Sequence, residues 1–265
     1  MATLANTLLW RPAPIATITV RQFLGGKAVR VVTLLAFAPC VFALIYLLNT
    51  DVSTPREFLI DAMYRGVMVP TILPIAILIL ATGALGNEVE DRTLPYLVLK
   101  PISRLRIVIE KLIGVLIVGL PAILLGIFVT WLIVRLGTDE TTSFVARGTP
   151  TSVDAVLWPM LASATVGVVA TAAIFLLVSL IIPRALIAGI MYAFAWESLL
   201  GRFLPGVKII SIRHYVDSIF VELLNARDAT LSGGYSVSAS LMTIAAAVVV
   251  AVLLATWRLS KMNLE

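Results

Sequence analysis

The chain has 265 residues, of which 60% are hydrophobic and only 13% charged, and its mean hydropathy is +1.04. Soluble domains carry about 25% charged residues, so the composition excludes a large soluble core and points to a membrane protein. Lys and Arg outnumber Asp and Glu by 20 to 15, but they sit between apolar runs and not along one polar face, which fits membrane topology and argues against nucleic-acid binding.

A bilayer core needs roughly 20 apolar residues of helix. Residues 1–30 precede the first such run and read as a cytoplasmic interfacial segment. Within it Ala16, Val20, Phe23 and Leu24 share a helical face, while Ile18 falls on the wrong side. Arg21, Lys27 and Arg30 lead into the first apolar run, and no small-residue cleavage site separates it from a polar mature domain, so it reads as a retained span and not a cleaved signal.

Spans are predicted over 31–48, 66–86 and 105–134. The apolar stretch from Ala155 to Leu200 is too long for one crossing. Pro183 and Arg184 interrupt it, because proline removes a backbone donor and arginine needs an aqueous or interfacial seat. Two spans result, over 155–182 and 185–200, and a last one covers 237–257. Ahead of that last span, Ile209, Ile212, Val216, Ile219, Phe220 and Leu223 recur at helical spacing, opposite Ser211, His214, Asp217, Ser218 and Glu222. That pattern predicts an amphipathic helix over 206–226 at the outer membrane surface, its polar face solvated. The expected fold is therefore an all-α integral membrane protein with six transmembrane helices.

Orientation follows from the basic residues. Arg11, Arg21, Lys27, Arg30, Arg92, Lys100, Arg104, Arg106, Lys111, Arg184, Arg258 and Lys261 fall on one side. The other side mixes Arg56, Arg65, Arg135, Arg147, Arg202, Lys208, Arg213 and Arg227 with more acid: Asp51, Glu57, Asp61, Asp139, Glu140, Asp154, Asp217, Glu222 and Asp228. Both termini are expected in the cytoplasm. Pro39, Pro70, Pro74, Gly83, Gly114, Gly119, Pro121, Gly126 and Gly167 lie inside spans. They serve either close helix packing or hinges.

Nothing in the chain is equipped for covalent chemistry. The one histidine, His214, sits on the polar face of the predicted surface helix, and the one cysteine, Cys40, lies in an apolar run and precludes an intrachain disulfide. A metal site needs several convergent ligands, so no metal and no catalytic residue is expected, nor a triad. Gly25-Gly26-Lys27-Ala28 fails as a nucleotide loop, with Arg21 where the first glycine belongs and Ala28 in place of Ser or Thr. If ATP drives this protein, another chain binds it. Carboxylates deep inside the predicted spans are nearly absent, which argues against an ion-coupled carrier. Glu197, beside Trp196, reads as interfacial.

The loop over 87–104 is the least ordinary segment. Asn87 can cap a helix with Glu90 three residues on, and Glu88, Glu90 and Asp91 then favour the positive end of its dipole. The apolar residues Leu94, Tyr96, Leu97 and Leu99 follow, Pro101 ends the element, and Ser103 can cap the next span. A short helix of this kind either docks into a groove on a soluble partner or anchors two spans at the interface.

This string resembles the permease subunits of the ABC-2 family of ATP-binding-cassette exporters. The match rests on Glu88, Glu90, Arg92, Thr93, Leu94, Pro101, Ser103, Arg104 and Lys111, and on the topology around them. It departs in having Arg92 before Thr93, where many members have glycine, and Pro95 inside the segment. The resemblance implies that Glu88–Leu99 is a coupling helix seated on a cytoplasmic ATPase subunit. Its docking residues would be Glu88, Glu90, Asp91, Arg92, Thr93, Leu94, Tyr96 and Leu97, with Pro183 and Arg184 a smaller second contact. It further implies two ATPase chains, which carry the ATP and Mg, and a second permease chain, the same or homologous, in a bacterial plasma membrane. Met68, Ile72, Ile75, Met191 and Phe194 are candidates for a substrate path, by position in the second and fifth spans. An apolar, charge-poor interior suits a drug, a lipid or a lipid-linked compound. The rival readings are a secondary carrier, a membrane-embedded lipid-modifying enzyme, and an assembly subunit that docks an ATPase without translocating.

Overall fold

The computed structural model describes residues 14–48, 55–86, 103–137, 144–146, 149–151, 153–182, 211–224 and 234–261. Helix α1 spans Pro14–Gly25 and breaks at Gly26 before α2, Lys27–Leu48. Helix α3 is continuous through Pro55–Glu57, Phe58–Ile72, Leu73–Ala81 and Thr82–Gly86. Helix α4, Arg104–Gly137, leads to a short antiparallel hairpin of β1, Phe144–Ala146, and β2, Thr149–Thr151, with Phe144 opposite Thr151. Then come α5, Val153–Ile181, α6, Ile212–Leu223, and α7, Val237–Lys261.

Among the described residues, five helices (α2, α3, α4, α5 and α7) are long and apolar enough to cross a membrane. The expected span over 185–200 and the loop residues 87–102 lie outside the described residues. Helix α3 is the axis of the bundle: 72% of its apolar window is buried, against 17% for α7 at the periphery. Large apolar side chains such as Leu34, Leu48, Met242 and Leu253 are exposed, an arrangement that water penalises and hydrocarbon does not.

Without a hydrophobic force between helices in lipid, association depends on close packing and on polar contacts. Both operate where α2 crosses α4. A Cβ added at Gly126 would stand 2.2 Å from the carbonyl oxygen of Ala36, so the two backbones touch only because residue 126 has no side chain. Beside this contact Thr130 donates to the Gly126 carbonyl at 2.7 Å, and the buried, free Cys40 lies 3.5 Å from the Thr130 hydroxyl.

Helix α1 is tied to α4 by a carboxylate. The first turn of any helix leaves N–H groups without intrahelical acceptors. Here Glu110 Oε2 accepts from the Ile15 N–H at 2.7 Å and the Ala16 N–H at 3.3 Å, while its Oε1 accepts from Arg106 Nε at 2.6 Å. Negative charge at a helix start also meets the positive end of the dipole. The face that α1 buries is Ile15, Ala16, Thr19 and Phe23, whereas Leu24, expected on that face, is exposed. Gly114 provides the room, since a Cβ there would meet the Thr19 side chain at 3.0 Å. Likewise the Glu222 carboxylate of α6 accepts from the Val237 N–H at the start of α7. Ser103 caps α4 as its sequence suggests, accepting from the Arg106 N–H at 3.4 Å.

At the far end of α4, Arg135 in the last turn pairs with Asp154 in the first turn of α5 at 2.9 Å, and the Trp131 indole N–H donates to the Val153 carbonyl at 2.9 Å. These contacts hold the two spans where the hairpin joins them. Gly126→Ala, the smallest addition possible, should therefore destabilise the α2–α4 contact by about 1–3 kcal/mol, the usual cost of overpacking. Thermal unfolding of the detergent-purified protein, followed by circular dichroism, checks this; an unchanged midpoint would mean that the backbones do not touch at Gly126.

Candidate functional site

The site begins with a missing donor. Over Phe58–Ile72, α3 is wound as a π-helix, in which a carbonyl accepts from the N–H five residues on. For Arg65 that donor would be residue 70, which is proline and has no N–H. The carbonyl is met instead from α6: Arg213 Nη2 donates to the Arg65 oxygen at 3.0 Å. One proline thus recruits a charged side chain from a neighbouring helix into the bundle.

The arginine draws a carboxylate after it. Asp217, one turn along α6, places Oδ2 4.0 Å from Arg213 Nε and 3.9 Å from Arg65 Nε, and Arg65 also pairs with Asp61 at 3.3 Å. Both contacts to Asp217 are too long for hydrogen bonds. Asp217 is 7% exposed, and neither its Oδ1 nor Arg65 Nε has a hydrogen-bond partner in the structure. Burial pushes the Asp217 carboxyl up from its ordinary 3.8 to about 6, against the opposing pull of Arg65 and Arg213 and with a smaller upward push from Asp61.

A neutral network underlies this charged one. The Tyr64 hydroxyl lies 2.6 Å from Ser163 Oγ and 3.2 Å from the Met160 carbonyl of α5, and its ring packs 4.7 Å from that of Phe220 on α6. Tyr64 therefore joins α3, α5 and α6 at one level. The same three helices leave a cleft of about 20 Å3 between them, room for little more than a water. Val69 and Leu73 of α3, Gly167 and Thr171 of α5, and Arg213 and Val216 of α6 contribute to its wall, in which Arg213 is the one charged residue. A second cleft, of about 10 Å3, is lined by Leu59, Met63, Tyr64, Met68, Ile127 and Met160, with Thr130.

Helix α6 departs from the sequence expectation. Its polar side is not solvated: Ser211, Asp217 and Ser218 are buried, and of the five polar residues only Glu222 is exposed. His214 is half-buried, its ring edge-on to Tyr215 and Tyr235 at 5.9 and 5.7 Å. The physical reason lies in the partners. Ser218 donates to the His214 carbonyl of its own helix at 2.8 Å, and Asp217 lies at ion-pair distance from two guanidinium groups, so the polar face is turned to protein partners. Asp61 and Arg65, assigned to a loop by sequence, lie inside the continuous helix α3. The interior is accordingly less charge-poor than its composition suggests. Pro70 was the one available signal; the winding that turns it into an orphaned carbonyl at Arg65 has no trace in the sequence.

Of the residues proposed for a substrate path, Met68 and Ile72 are buried on α3, Ile75 is half-buried, and Met68 lines the second cleft. Met191 and Phe194 lie outside the described residues, as do all the proposed docking residues: Glu88, Glu90, Asp91, Arg92, Thr93, Leu94, Tyr96, Leu97, Pro183 and Arg184. Lys111, which sequence placed at a basic cytoplasmic flank, is buried, as is its neighbour Glu110, the cap of α1. Among the described residues no group of three or more His, Cys, Asp or Glu could hold a metal.

Apolar spanning helices around a sparse polar interior define a multi-pass membrane protein. The family model described as ABC-2 family transporter protein matches residues 23–197, most of the chain, and the protein belongs to that family. The chain has no match among curated proteins. Membership implies association with an ABC ATPase.

The Asp217 carboxyl titrates at a higher pH folded than unfolded, so the folded state binds more protons between about 3.8 and about 6. Its contribution to stability is therefore complete below about 3.8 and lost as the pH rises through about 6. The melting temperature should fall across this interval, and Asp217→Asn should flatten the fall. Parallel pH profiles for the two proteins would exclude the buried titration.

Proposed function

We propose that this chain is the membrane-spanning subunit of an ATP-driven exporter, moving a hydrophobic or amphipathic compound outward across a bacterial plasma membrane. The observation that carries this reading is the family match over 23–197, which takes in the whole loop over 87–104. Glu88–Leu99 acts as the coupling helix on the ATPase, with Pro183 and Arg184 as a second contact. Two ATPase chains hold the ATP and Mg, two permease chains form the path, and both termini face the cytoplasm. ATP-driven closure of the ATPase pair biases the spans between inward-open and outward-open packings. An apolar, charge-poor set of spans suits a greasy substrate.

One observation favours a second reading. Asp217 is a buried carboxylate of the kind that proton-coupled carriers use as relays. Against it, Arg65 and Arg213 stand over that carboxylate, and the family works with an ATPase. A carrier would lose transport to a protonophore with ATP held constant; the exporter would not.

Reversing the acidic start of the coupling segment, with Glu90→Lys and Asp91→Lys together, should lower transport at least about tenfold, equivalent to roughly 1.4 kcal/mol of docking. Membrane insertion should be intact. Purification of the tagged chain from native membranes in mild detergent, with mass spectrometry of stoichiometric partners, should recover a soluble protein with a nucleotide-binding loop, and the double variant should lose it. A wild-type chain that purifies alone would refute the exporter reading.

A further inference from the structure

The elbow between α1 and α2 gathers positive charge without a counterpart. Residues 1–50 hold Arg11, Arg21, Lys27 and Arg30 and no Asp or Glu; the first acid is Asp51. Arg21, Lys27 and Arg30 are all exposed, and among the described residues no carboxylate pairs with any of them. The carboxylate that α1 does meet, Glu110, is buried and already accepts from the Ile15 and Ala16 N–H groups and from Arg106. The bend itself is bare, since a Cβ added at Gly25 would meet open space.

Apolar surface lies beside the charge. Helix α1 turns Ile15, Ala16, Thr19 and Phe23 inward and leaves Ile18 and Leu24, one turn to either side of Arg21, exposed at 53% and 66%. In α2, Lys27 and Arg30 are three residues apart and so share a face of the first turn, and Leu34, one turn beyond, is 76% exposed. A basic end that continues into an apolar stripe matches a headgroup with its chains below. A second copy laid elbow to elbow would instead set like charge against like, with no acid from either side. A soluble anion would leave Ile18, Leu24 and Leu34 in water.

We propose that this elbow is a binding site for an anionic phospholipid, whose phosphate is held by Arg21, Lys27 and Arg30 and whose chains lie along Ile18, Leu24 and Leu34. Arginine suits the phosphate because its planar fork donates two hydrogen bonds at once, and the lysine adds a point charge. The site requires no ATPase and no transport, so it stands apart from the exporter reading.

The test uses native mass spectrometry of the full chain, delipidated in a neutral detergent, to count bound molecules of three probes: dioleoylphosphatidylglycerol, dioleoylphosphatidylcholine and glycerol phosphate. The anionic lipid should bind at least about tenfold more tightly than the zwitterionic one, and glycerol phosphate should neither bind nor displace it. Arg21→Gln, Lys27→Gln and Arg30→Gln should each weaken the anionic lipid about fivefold, the worth of one basic side chain near an anionic surface. The triple variant should lose the preference. Arg21→Lys with Arg30→Lys, which keeps the charge, should retain most of it. Arg258→Gln with Lys261→Gln removes two cations from the end of α7 and should leave the preference unchanged. Should the triple variant fail to fold, the three single variants decide. Equal binding of the two lipids, or an equal loss in the α7 pair, would overturn the proposal. So would displacement of the lipid by glycerol phosphate, or a dimer of the lipid-free chain that the triple variant breaks.

Discussion

A carbonyl oxygen inside a packed bundle has no water to turn to, and the arrangement around α6 descends from one such oxygen. Pro70 cannot donate, the π winding of α3 assigns the deficit to Arg65, and the nearest remedy is a guanidinium from another helix. Arg213 brings charge into the bundle, Asp217 answers it, and Arg65 and Asp61 complete the set. A helix that composition assigns to the membrane surface is thereby packed among the spans. Breaking such a set by removing one partner is strongly destabilising, because the remaining charge stays buried.

The same scarcity of water explains the borrowed caps. Glu110 serves the first turn of α1, and Glu222 serves that of α7. In a soluble protein those N–H groups could be left to solvent or to a local Ser or Asp. Here a carboxylate from a different helix satisfies the donors and fixes the position of the borrowed element. Where no polar group is at hand, packing substitutes for it, as at Gly126, where two backbones meet without a side chain between them.

These features also mark how far the sequence could be read. Membrane class and the apolar helices follow directly, because a run of some twenty apolar residues has few other uses. The capping role of Ser103 was legible because its partner lies three residues away. Glu110 was not, because its partners are near the N-terminus and nothing local distinguishes it from any other charge at a span boundary. The polar side of α6 was visible as a pattern but misassigned, since amphipathicity records that one face is polar without recording what meets it. The short hairpin between α4 and α5 pairs too few residues to leave a periodic signal. The string over 87–104, by contrast, shows in the sequence its resemblance to the family whose model matches 23–197.

The two borrowed caps differ in one respect that bears on biogenesis. Glu222 lies 15 residues before the N–H it accepts, so α7 can be capped as soon as its first turn leaves the ribosome. Ile15 must wait for a residue 95 positions later. Until α4 has been synthesised and inserted, the first turn of α1 has open donors and no seat at Gly114, and α2 has no backbone to lie against at Gly126. The segment of α1 and α2 is therefore made early and completed late, and through that interval its polar groups depend on the membrane interface or on the insertion machinery.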